Sequence, residues 1–245
     1  MEWERIGTEL VDEAAGRSHR RDGVLPRTGG PAGNARLTAW TGAILFVLFV
    51  AEVVTLLDVH GWISWHVALG VLLVPPALLK TASTGWRFLR YYTRGRPYVE
   101  AGPPIMPLRI LGPFVVLSTL ALLGSGLVLV ALGEQRSRED GLAGFSWVNI
   151  HQGCFFVAAV AVSLHFLARA VPALMLLTGR RKEESGPAPR VPGGAARLAL
   201  VALTLAVAGV TTALVLPAAS SWQHEDFGHF GRFGHFDGGP PGGRP

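Results

Sequence analysis

His66 and His151 are the residues whose type and placement could do chemistry. Each lies a few residues inside the start of a long apolar segment. Polar side chains at such depth are expensive and usually functional. Two neutral imidazoles facing each other between membrane helices are what a b-type haem needs as axial ligands. The single cysteine, Cys154, excludes an internal disulfide and any CxxCH attachment site. The cofactor expected on this reading is therefore a non-covalent haem b.

The pair can meet only if the segments that carry it are membrane helices. Of the 245 residues 49% are hydrophobic and only 16% charged, with a mean hydropathy of +0.36. A soluble domain carries roughly 25% charge. The apolar residues fall into five blocks: Leu37–Leu57, Trp62–Leu79, Ile110–Leu132, Trp147–Ala168 and Leu198–Leu216. Each can cross ~30 Å of hydrocarbon as a helix at ~1.5 Å per residue. None alternates apolar and polar residues, which argues against strands. The expected fold is all-α and polytopic: an up-and-down four-helix transmembrane bundle over residues 37–177, then a fifth transmembrane helix over 198–216. Residues 1–36 read as a disordered cytoplasmic tail, 178–197 as a cytoplasmic linker and 217–245 as a disordered outer tail.

Loop charge predicts the orientation. The first link holds Asp58 and His60 and no Lys or Arg. The second holds Arg87, Arg90, Arg94 and Arg96, bracketed by Lys80 and Arg109. The third balances Arg136 and Arg138 with Glu134, Glu139 and Asp140, and the fourth holds Arg180, Arg181, Lys182, Arg190 and Arg197. Basic links alternate with non-basic ones, as the positive-inside rule expects for a cytoplasmic N-terminus and an outer C-terminus. Trp62, Trp65, Trp147 and Trp222 then gather at the outer interface. The basic pI of about 10.1 reflects these loops and not a nucleic-acid partner. The expected location is the cytoplasmic membrane.

On that orientation the second and fourth segments both run inward. His66 and His151 are each the fifth residue of their segment, roughly 6 Å below the outer end. Gly70 lies one turn below His66, and Gly124-Ser125-Gly126 lies near the outer end of the third segment. Small residues there leave space for a flat macrocycle, although they also serve helix packing. His165 follows His151 by almost four turns on the same face, and the matching position on the second segment holds Lys80.

Two parallel helices with histidines at this spacing resemble the membrane cytochromes of the cytochrome b type, and the resemblance covers roughly residues 37–177. That family ligates two haems between the second and fourth helices of a four-helix bundle. His66 and His151 match the outer-haem ligands and His165 matches one inner-haem ligand. Lys80 stands where the family has histidine, so the resemblance implies a single haem here. It also implies electron transfer between a membrane donor such as a quinol and an acceptor near the outer face, with any catalysis residing in an oxidoreductase of which this chain is the membrane subunit.

The alternatives follow from the same residues. Interfacial solvation beside Arg169 is sufficient reason for His165. Glu52, inside the first segment, is a proton-relay residue or a carboxylate bonded to a neighbouring helix. Lys80 snorkels to the interface. The arginine cluster with Tyr91 and Tyr92 suits anionic headgroups, although topology alone explains it. Cys154 is a small packing residue, and the tail histidines His224, His229 and His235 form a loose patch without thiolates. No phosphate-binding glycine loop, HExxH or nucleophile elbow occurs. The rival to an electron carrier is a membrane scaffold or accessory subunit without haem.

Overall fold

The computed structural model describes residues 2–17, 22–178 and 190–223. The tail histidines His224, His229 and His235 and the basic residues Arg180, Arg181 and Lys182 lie outside them. The described chain is an all-α polytopic membrane protein, as its composition predicts. Five of its helical stretches are long and apolar enough to cross a membrane. They contain α2 (Gly30–Thr55), α3 (Ile63–Tyr92), α5 (Met106–Leu132), α7 (Trp147–Thr178) and α8 (Gly194–Val215).

Short elements join them: α1 (Glu2–Ala14), α4 (Arg96–Glu100) and α6 (Glu134–Glu139), with a small hairpin of β1 (Gly141–Leu142) and β2 (Phe145–Ser146) before α7. The helices outrun their apolar cores at both ends. Helix α2 starts at Gly30 because Gly29 turns with a φ of 75° and Pro31 enters the first turn, where its missing N–H costs nothing. Helix α3 continues through Pro75 and Pro76 to Tyr92.

Antiparallel neighbours α2–α3 and α5–α7 pack most closely. Contacts of α3 with α5 and of α2 with α7 close the ring, and α8 lies outside it against α3. Small side chains allow these approaches: Ala77, Ala158, Ala161 and Ala208 are all buried. Large apolar side chains such as Ile110, Leu117, Leu167 and Leu214 point outward, where lipid tails are as apolar as they are. The buried apolar cluster of Val67, Val71 and Ala219 joins α3 to the segment after α8.

Two segments differ from the expectation of disordered tails. Residues 2–14 form α1, which packs on α7 and is tied there by Glu13 and Arg169. It is amphipathic, so docking buries one face that a tail would leave wet. Leu216–Trp222 continues α8 as a 3-10 turn that packs on α3, and Gln223 hydrogen-bonds Ser64.

Candidate functional site

The bundle is hollow. A cavity of about 2140 Å³ runs through it, lined by α2, α3, α5 and α7. Protein interiors are otherwise close-packed, with few voids larger than a water molecule. Along one wall lie Glu52, His66 and Gly70. Gly126 and His151 lie along another, and Lys80, His165 and Arg169 line its far end.

His66 and His151 meet across this cavity. Their ring centres are 6.4 Å apart and their planes nearly perpendicular, at 85°. An imidazole nitrogen bonds a first-row metal ion at ~2.0 Å and the ring centre lies ~1.1 Å behind it, so axial imidazoles on one ion have centres ~6.3 Å apart. The observed separation matches that distance, and it also falls within the ~4.5–7 Å range of an edge-to-face ring pair.

The protonation of both rings follows from their neighbours. Thr55 Oγ1 donates to the Glu52 carbonyl at 2.6 Å and lies 2.9 Å from His66 Nδ1. Ser125 Oγ donates to the Leu122 carbonyl at 2.9 Å and lies 3.0 Å from His151 Nδ1. A hydroxyl has one proton, and each has spent it on its own helix. Each can therefore only accept from the imidazole, so Nδ1 carries the proton and Nε2 keeps a lone pair. No protein group among the described residues hydrogen-bonds either Nε2. This is how metal-ligating histidines are held, with the second nitrogen donating to the protein. Glu52 Oε1, 3.1 Å from His66 Nδ1, reinforces the same tautomer, and Glu52 Oε2 is buried without a partner.

Any ion held by this pair would have to bring other ligands with it. Among the described residues no group of three or more His, Cys, Asp or Glu side chains could hold a bare metal ion. Two imidazoles on opposite sides of a roomy cavity suit an iron whose four equatorial positions a porphyrin fills. The glycines divide. A Cβ on Gly126 would lie 3.1 Å from His151 Cε1, and one on Gly70 would lie 3.4 Å from Glu52 Oε1. Gly124 meets nothing within 4 Å and does not line the cavity, so it leaves the expected set. Successive helical residues turn by about 100°, so Gly124 and Gly126 cannot face one cavity together.

Of the expected site residues, the structure brings together His66, His151, Gly70, Gly126 and Glu52. His165 lies at the far end with Lys80 and Arg169 as its charged neighbours. The roles of Thr55 and Ser125 were not legible beforehand, although Thr55 stands one turn after Glu52. Trp222 was also missed: it lines the cavity and its Nε1 is buried without a partner. Comparison of this chain with protein-family models, with curated proteins and with solved structures finds no match.

Ser125→Ala should keep the fold but loosen His151. Loss of such a second-nitrogen partner typically costs 10–100-fold in affinity for the metal. Titrating haem into the cofactor-free variant and the parent checks this, and an unchanged affinity would count against the assigned tautomer.

Proposed function

We propose that this chain is a membrane haem-b electron-transfer protein, with His66 and His151 as the axial ligands of one haem. The observation that carries the proposal is the 6.4 Å separation of two rings whose Nδ1 atoms are both occupied. Bound there, the haem would supply one-electron redox chemistry at a potential set by its ligands and surroundings.

The chain's own residues do the rest. Thr55 and Ser125 orient the rings. Gly126 and Gly70 keep the slot beside them open. The apolar walls exclude water and lower the local dielectric. Glu52 turns Oε1 to His66 Nδ1 and leaves Oε2 buried without a partner, a suitable place to hold a proton when charge changes nearby.

In this reading the electron donor is a quinol reaching the bundle from the bilayer. The acceptor is a redox protein at the histidine-pair end, and that end faces the outside of the cytoplasmic membrane, as loop charge predicts. The chain then serves as the membrane cytochrome subunit of an oxidoreductase. Haem stoichiometry tests the single-haem form of the proposal. One haem per chain is expected, and His165→Ala should leave that number at one. Two haems per chain, falling to one in His165→Ala, would replace it with a two-haem arrangement.

A further inference from the structure

The far end of the cavity holds a polar cluster that the histidine pair does not use. Lys80 of α3, Arg169 of α7 and Glu13 of α1 line it together. Glu13 is only 7% exposed, and its carboxylate accepts from Arg169 at 2.8 Å. Lys80 Nζ donates to the Thr38 carbonyl at 3.0 Å and lies against Gly42, where a Cβ would be 2.9 Å from it. Among the described residues no carboxylate stands within ion-pair distance of Lys80. Apart from the Arg87–Asp22 pair, which balances itself, the cluster has two cations and one carboxylate, with the His165 imidazole beside them. An ammonium held between packed helices is best stabilised by a compensating anion or a dense set of acceptors. One carbonyl is not such a set. Glu13 shows that the chamber takes a carboxylate, and Arg169 has already claimed that one.

The space beside Lys80 is apolar. Phe46 and Phe166 stack with ring centres 4.2 Å apart, and Phe155, Ala158 and Val162 continue the wall toward the histidine pair. The whole cavity is about twice the ~1,000 Å³ of a large small-molecule site, so an occupant of the histidine pair leaves room for a second molecule. A way in exists: Phe88 and Tyr92 line the cavity and are 60% and 57% exposed, which carries the opening to the surface at the Tyr92 end of α3.

We propose that the Lys80 end of the cavity binds one amphiphile with an anionic oxygen head, a phosphate or a carboxylate. Its head pairs with Lys80 and its hydrocarbon tail lies against the phenylalanine wall. The site does not depend on the haem reading, since no residue is shared between the two.

Native mass spectrometry of the full chain, purified in a neutral maltoside detergent, tests this with three probes: phosphatidylglycerol, phosphatidylcholine and oleate. One phosphatidylglycerol or one oleate should be retained per chain, with phosphatidylcholine no higher than non-specific background. Retention of phosphatidylglycerol alone identifies a lipid phosphate as the ligand; retention of oleate alone identifies a free carboxylate. Lys80→Gln should weaken retention about tenfold or more, because a charge-assisted contact is lost. Lys80→Arg should restore it, and Glu13→Gln, which frees Arg169, should strengthen it. Should Lys80→Gln fail to fold, Lys80→Met serves instead, since it keeps the length of the side chain and removes its charge. Equal retention of phosphatidylcholine, or anionic retention indifferent to the charge at Lys80, overturns the proposal.

Discussion

If the proposed haem is bound between them, His66→Ala and His151→Ala should each abolish the low-spin, six-coordinate b-type absorbance of the purified protein, while the chain stays folded and in the membrane. A single remaining imidazole cannot hold a six-coordinate iron, and neither ring has a substitute nearby: His165 lies at the far end of the cavity and His60 at its rim. The cost to the fold is small. Each ring makes one hydroxyl hydrogen bond that carries about 1 kcal/mol, His66 also contacts Glu52, and most helical stability comes from packing elsewhere. Imidazole added to either variant should enter the space left by the ring and restore part of the absorbance. Absorption spectra of matched membrane preparations check both statements. Full absorbance in either variant would remove that histidine from the ligand pair.

Gly126→Leu empties the site by a different route. Its Cβ would meet His151 Cε1 at 3.1 Å, and the rest of the side chain would project into the slot beside the ring. His151 would have to turn away from its 3.0 Å contact with Ser125. Leucine also favours a helix over glycine by roughly 0.5–1 kcal/mol, so the variant should fold at least as well as the parent. Loss of haem in a well-folded Gly126→Leu, beside full haem in Gly124→Leu, is the expected pair of results. Nothing lies within 4 Å of a Cβ at Gly124. Equal behaviour of the two variants would mean that the macrocycle does not lie where Gly126 points.

The histidine pair was legible because membrane helices are regular. Loop charges predicted a shared direction for the second and fourth spans, and a constant rise per residue predicted equal depth. What remained hidden depended on rotation about the helix axes and on contacts across long stretches of chain. Glu52 reaches His66 only because the turn after α2 is short enough to bring Thr55 and Glu52 back over the start of α3. Gly124 stands about 200° round the helix from Gly126 and off the cavity lining. Helix α1 carried its own signal in an amphipathic pattern, but its anchor, Arg169, lies 156 residues away. Trp222 joined the cavity wall from a stretch whose glycine-rich continuation made it read as tail. Lys80 against Gly42 needed the register of α2 on α3, which no single-helix periodicity contains.

The most direct test of the histidine-pair site is the spectroscopy of the unaltered protein, purified from cells supplied with haem. The account predicts a reduced-minus-oxidised spectrum with a b-type α-band, one haem per chain, and an oxidised state that is low-spin with two imidazole ligands. Because the two ring planes stand at 85°, its electron paramagnetic resonance signal should be the strongly anisotropic kind given by perpendicular axial imidazoles. A protein without haem, or with a five-coordinate high-spin haem, would contradict it.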